Sequence, residues 1–141
     1  MGPVSATQDT DERRATVLLV EDELLLRWPT GEYLRDAGYR VIEAATASEA
    51  IAVLSSGTPI DLVFSDINLT DAMSGHALAG WLASNHPQVP MLLTSADRRE
   101  LGRVAVDTMR AVLSKPYDLC AAAERIRQML SQRQEPAHQE G

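Results

Sequence analysis

Four short apolar runs in this chain end on side chains that carry chemistry. VLLV at 17–20 leads into Glu21, Asp22 and Glu23; LVFS at 62–65 leads into Asp66; MLL at 91–93 leads into Thr94 and Ser95; AVLS at 111–114 leads into Lys115. A strand that only has to stop can use Gly, Asn or Pro, which turn without placing a full charge at the rim of a buried sheet. Carboxylates gathered at one edge are costly, since two charges about 5 Å apart at an effective dielectric of about 20 repel by roughly 3 kcal/mol. A hard divalent cation relieves that repulsion. Mg²⁺, with Mn²⁺ as the alternative, suits a site offering one or two carboxylates while water, a backbone carbonyl and phosphate oxygens fill its other positions. Beside such a cation Asp66 can act as a nucleophile on phosphorus and become an aspartyl phosphate. Lys115 would neutralise one phosphoryl oxygen, the Thr94 hydroxyl would donate to another, and Ser95 lies in the same phosphate-facing turn.

Each of these residues alone has a plainer reading. Glu21, Asp22 and Glu23 can be first-turn charge that favours a helix dipole. Asp66 can be a solvated strand end, Thr94 and Ser95 turn or capping residues, and Lys115 a surface cation. Their placement at the ends of separate strands favours the chemical reading over that set of coincidences.

The elements that must position them follow from periodicity. Short Val/Leu/Ile runs alternate with longer stretches of helical period, the pattern of repeated βαβ units around a parallel sheet. Strands are expected at 16–20, 39–44, 61–65, 90–93 and 111–114, and helices at 24–37, 47–56, 76–85, 98–109 and 119–132. The second strand is the more polar and suits an edge. Thr46 and Glu49 have capping-box spacing, Gly38 and Gly57 stand where helices should end, Pro87 follows the third helix, and Asp118 is placed to cap the fifth. Pro29 falls inside the first helix, where it removes a donor and predicts a kink. The fold class is therefore α/β: a doubly wound, five-stranded parallel sheet, (βα)5, of order 2-1-3-4-5. All four chemical turns then lie at its carboxyl edge, where such sheets bind ligands, and the acidic residues meet at the switch point between the first and third strands.

Composition narrows the function classes. The chain has 141 residues, 45% of them hydrophobic, enough for one domain with a real core. A net charge of −7 argues against a phosphate-backbone footprint, so no direct nucleic-acid partner is expected. A lone cysteine, Cys120, forms no internal disulfide, and residues 1–14 have no apolar leader core, so a cytoplasmic location is expected, with no membrane partner. The domain is placed at 15–132, with polar, disordered tails at 1–14 and 133–141. His76 and His86 lack ligand-like spacing, Trp28 and Trp81 read as packing residues, and Cys120 as a small buried side chain.

VLLVEDE, DLVFSDINL, PMLLTSAD and LSKPY, in that order, resemble the receiver domain of two-component response regulators, with its flavodoxin-like, chemotaxis-regulator-like fold. Each piece alone is weak; four in order, each at a strand end, are specific. The resemblance implies a stand-alone signalling domain rather than an enzyme with a turned-over substrate. Asp66 would take a phosphoryl group from a histidine kinase or phosphotransfer protein and switch a face that binds a downstream protein, the domain itself being a monomer or weak dimer. It further implies a metal held by Asp22, Asp66 and the backbone carbonyl of Asn68, with Glu21 commonly reaching it through water, and a cis Lys115–Pro116 bond.

The chain departs from the family at three points. Val112 stands where an aromatic usually lies three positions before the lysine, the segment after Asp66 reads INLTDAMSG, and Pro29 interrupts the first helix. With no ring to swing, activation is expected to pass through the Thr94–Ser95–Ala96 turn and the start of the fourth helix. Two alternatives remain, a receiver-like adaptor that works without phosphorylation and a haloacid-type phosphohydrolase. The second wants another Asp two residues after its nucleophile, where this chain has Asn68.

Overall fold

The computed structural model describes residues 14–69, 73–107 and 109–140, with side chains in the last helix as far as Gln132. Along the chain the elements are β1 (Thr16–Val20), α1 (Leu24–Asp36), β2 (Arg40–Ala44), α2 (Ala47–Ser55), β3 (Leu62–Asp66), α3 (Gly75–Asn85), β4 (Met91–Ser95), α4 (Arg98–Gly102), β5 (Arg110–Ser114) and α5 (Leu119–Glu140). The five strands are parallel in the order β2-β1-β3-β4-β5, as the alternation of runs predicts, and polar β2 is an edge.

The strand period of two divides the core. Val17 and Leu19 of β1 point to one face with Leu34 of α1, Phe64 of β3 and Ala122, Ile126 and Met129 of α5. Leu18 and Val20 point to the other, against α2, α3 and Leu101 of α4. β1, β3 and β4 are buried along their whole length, so their apolar runs are continuous rather than alternating. Each such Leu, Val or Phe contributes about 1.5–3 kcal/mol on leaving water.

Local signals act where the sequence places them. Thr46 accepts from the Glu49 amide at 3.1 Å, Glu49 reaches back to the Ala45 amide at 2.7 Å, and Asp118 accepts from the Cys120 amide at 3.3 Å. Gly38 and Gly57 turn the chain after α1 and α2 with φ of 106° and 87°, values that side chains rarely adopt. α1 runs through Pro29 as one helix, and the Thr30 hydroxyl bonds the Leu26 carbonyl at 2.8 Å just beyond it.

Four expectations change. The fourth helix is the five-residue α4 rather than 98–109. Gly102 and β-branched Val104 and Val106 weaken its continuation, and Asp107 ends it by accepting from the Met109 and Arg110 amides at 2.8 and 3.0 Å. Helical backbone in α5 continues to Glu140, beyond the expected end at 132. Trp28 is 59% exposed, because Thr30, Gly31 and Leu34 set the buried stripe of α1 and the three leucines before Trp28 mark no single face. Cys120 is exposed, since α5 turns Ala122, Ile126, Met129 and Leu130 inward and position 120 lies about 200° around the helix from 122. The expected tail at 1–14 lies, except for Arg14, outside the described residues.

Candidate functional site

The β1–β3 register pairs Val20 with Ser65, so the residues that follow, Glu21 and Asp66, leave the sheet side by side. The β3–β4 register sets Thr94 opposite Asp66. Acidic and hydroxyl side chains thus converge because parallel strands end at one level, not because they are near in sequence. One ligand atom from each of Glu21, Asp22 and Asp66 lies within 4.8 Å of the others. Glu21 and Asp66 are 5% and 8% exposed, and Thr94 and Ser95 are buried with them.

Lys115 enters from the turn after β5, its Nζ 2.9 Å from Asp66 Oδ2 and 3.4 Å from Glu21 Oε1. Its amide bonds the Ser95 carbonyl at 3.0 Å and the Lys115–Pro116 peptide is cis, as the resemblance implies. Burial pushes the Lys115 ammonium toward deprotonation, but the Asp66 hydrogen bond and the Glu21 and Asp66 charges outweigh it and raise the pKa. The lysine stays a cation. Glu21 is raised above the ordinary glutamate value chiefly by burial, against the pull of the Glu23 amide and Lys115, with the Asp66 charge adding to the rise.

The donor set fits a hard divalent cation. Three carboxylates face one ammonium, and the Asn68 amide, bonded to Asp66 Oδ1 at 3.2 Å, holds the turn after β3 against the acids. Gly75 permits this packing. A Cβ there would lie 2.5 Å from the Asp66 carbonyl oxygen and 2.6 Å from Ile67 Cα, and its amide bonds the Ile67 carbonyl at 2.7 Å. Asn68 bonds Asp66, Thr94 lies opposite it in the sheet and Ser95 follows Thr94, so the residues singled out in the sequence lie together at this edge.

Other supporting residues were not evident in the sequence. Arg27 of α1 donates to the Glu21 carbonyl at 2.8 Å and to Glu43 of β2 at 3.2 Å, and Arg35 holds the other Glu43 oxygen at 3.1 Å. Glu100 of α4 accepts from Asn68 Nδ2 and Ser95 Oγ, both at 3.0 Å. Tyr117 packs its ring 5.7 Å from Phe64. With Leu25, Leu26, Pro29, Ala96 and Pro116 it lines an apolar groove of about 400 Å³ that Lys115 also borders. None of these contacts has a periodic signature; the Glu100–Asn68 bond spans 32 positions.

The chain is similar to proteins of matching architecture. Residues 17–130 match the family described as "Response regulator receiver domain". Sensor kinase CckA of Brucella abortus is 32% identical over 137 residues, covering 91% of this chain and 14% of the kinase. DNA-binding transcriptional regulator NtrC of Salmonella typhimurium is 30% identical over 125 residues, covering 87% of this chain and 26% of the regulator. The chain therefore spans well under a third of either of these curated relatives. A response regulator receiver protein from Sinorhizobium medicae superposes with a TM-score of 0.77 at 27% identity, over 86% of this chain and 98% of that one. A converging acidic trio met by a lysine, on a sheet of order 2-1-3-4-5 and with a family match over most of its length, places this chain in the response regulator receiver domain family.

Proposed function

We propose that residues 15–132 form a phosphoacceptor unit in which Asp66 takes a phosphoryl group from a phosphohistidine. The donor would be a histidine kinase or a histidine phosphotransfer protein. The observation that carries this reading is the pairing of Lys115 Nζ with Asp66 Oδ2 at 2.9 Å, inside a trio of acids that ordinary packing would keep apart.

In the transfer, an Asp66 carboxylate oxygen attacks phosphorus. The P–O bond forms as the P–N bond breaks, and the electron pair leaves with the imidazole nitrogen, which gains a proton. Lys115 keeps one Asp66 oxygen oriented and is placed to turn an N–H toward a phosphoryl oxygen, while the Asn68 amide steadies the other. Thr94, opposite Asp66, offers a hydroxyl to a second phosphoryl oxygen, and Ser95 lies in the same turn. Asp22, Asp66, the Asn68 carbonyl and, through water, Glu21 would hold Mg²⁺, which would supply positive charge to offset that of the incoming phosphoryl oxygens.

Receiver domains are signalling domains, and the product here is the modified protein itself rather than a released molecule. The chain would act in the cytoplasm through a downstream protein; no helix among the described residues is long and apolar enough to cross a membrane. Incubation with a small phosphodonor and Mg²⁺, followed by intact-mass measurement, should show one phosphoryl adduct that Asp66→Asn abolishes while the fold is kept. An adduct that persists in Asp66→Asn overturns the assignment.

A further inference from the structure

We propose that Glu100 is a positioning residue, a latch that holds the turn after β3 to the turn after β4 while Asp66 is unmodified and that opens when Asp66 carries a phosphoryl group. This rests on the phosphoacceptor reading and adds the route by which charge on Asp66 reaches α4. One oxygen, Glu100 Oε1, accepts from Asn68 Nδ2 and from Ser95 Oγ, both at 3.0 Å. Both donors lie one step from Asp66. The Asn68 backbone amide bonds Asp66 Oδ1 at 3.2 Å, and Ser95 follows Thr94, which stands opposite Asp66 in the sheet.

Ser95 makes the arrangement exclusive. A hydroxyl carries one proton, so it donates to one acceptor at a time. Ser95 donates it to Glu100 Oε1, while its oxygen accepts from the Asp97 amide at 3.0 Å. Ser95 is fully buried, so no bulk water stands ready to replace a lost partner. A phosphoryl group brings about −1.5 to −2 charges and three strong acceptor oxygens to the end of Asp66. It competes for the Ser95 proton and the Asn68 amide group, and it repels the Glu100 carboxylate.

The element released is weakly held otherwise. α4 spans Arg98–Gly102 and buries Leu101 alone. Loss of the Glu100 contacts leaves that one apolar anchor, and the described chain beyond α4 has no regular structure until β5. The latch therefore converts charge at Asp66 into freedom of α4, which suits a receiver with Val112 in place of a rotating aromatic ring.

Hydrogen exchange on the intact chain tests this with two variants. Without phosphodonor, Glu100→Ala should exchange amides in the 97–104 segment about tenfold faster than wild type, the scale of losing hydrogen bonds to a charged acceptor. Glu100→Gln keeps a carbonyl oxygen that can accept both bonds and should stay within about twofold of wild type. Equal exchange in Glu100→Ala and wild type, or equal exchange in the two variants, overturns the latch. With Mg²⁺ and beryllofluoride as phosphoryl mimic, the wild-type segment should open to the Glu100→Ala level, and Glu100→Gln, lacking the repelled charge, should open less. A wild-type segment unmoved while amides 65–69 report the bound mimic overturns the coupling. If amides 65–69 ignore the mimic, the phosphoacceptor reading fails instead, and the arm without mimic still decides the latch.

Discussion

On the Glu21 side of Asp66 the backbone does the holding. Two strands end in register, Arg27 bonds the Glu21 carbonyl, and Gly75 lets the start of α3 press on the Asp66–Ile67 backbone. On the Ser95 side, beyond the strand end, side chains do it: a carboxylate shared by Asn68 and Ser95, and one buried leucine in a helix of five residues. The first arrangement cannot yield without disturbing the sheet. The second can yield by rotating a hydroxyl. The phosphoacceptor role proposed for Asp66 calls for both, a fixed place for the charge to arrive and a movable part to report it, and the two arrangements lie on opposite sides of that aspartate.

Glycine substitutions break the comparison most directly. Gly75→Ala puts a methyl group against backbone that no rotamer change can move aside, so it should cost about 3 kcal/mol in urea unfolding. A loss under about 1 kcal/mol would mean the start of α3 is as movable as α4. Lys115→Ala removes the cation shared by Asp66 and Glu21 and should cost about 2 kcal/mol in metal-free buffer, less than for a fully buried pair because the lysine is partly open to water. The same variant should still gain stability from Mg²⁺. For wild type that gain is about 1.4 kcal/mol at ten times the dissociation constant, and Asp22→Ala should lose most of it. An unchanged melting response to Mg²⁺ in Asp22→Ala removes Asp22 from the metal set.

Glu21→Gln should act in the opposite sense, stabilising the metal-free protein by about 1 kcal/mol, because burial and the Asp66 charge disfavour its ionised form. The pH dependence has the matching sign. A glutamate raised in the folded state binds more protons than in the unfolded chain between its ordinary and its raised pKa, so its contribution to metal-free stability increases as pH falls through that window. Glu21→Gln should remove that increase. The smallest effect is expected at Gly102→Ala, where an added methyl meets nothing within 4 Å and α4 should gain about 0.5 kcal/mol. That variant should also slow exchange in the 97–104 segment; faster exchange there would mean α4 is not the loosely held partner.

What the sequence showed and what it hid divide along the same line. Asp22, Asp66 and Lys115 were legible because each ends an apolar run, and parallel strands that end together bring such residues together by rule. Gly38, Gly57 and Thr46 were legible because turns and caps are local chemistry. The length of α4 was not, because Gly102 and the β-branched residues after it each weigh only fractions of a kcal/mol against a helical period. Trp28 and Cys120 were misplaced because adjacent leucines in α1 and alanines in α5 leave helix phase undetermined until packing selects it. Glu100 and Arg27 act through contacts 32 and 16 positions away, to Asn68 and Glu43, and nothing local announces such a partner.

The clasp at the end of β3 has a consequence for engineering. The Ile67 amide bonds the Thr94 carbonyl at 2.8 Å and the Gly75 amide bonds the Ile67 carbonyl at 2.7 Å, so β4 and the start of α3 are both tied to one residue of the sheet margin. Chain added after Leu69 would lengthen a connection whose two ends, Ile67 and Gly75, are already bonded to each other. Doubling such a loop costs only about 0.6 kcal/mol of closure entropy. A fluorophore-bearing peptide or a small reporter spliced there would be tethered at both ends to the residues that flank Asp66, which would turn the domain into a sensor of the modification proposed for that residue.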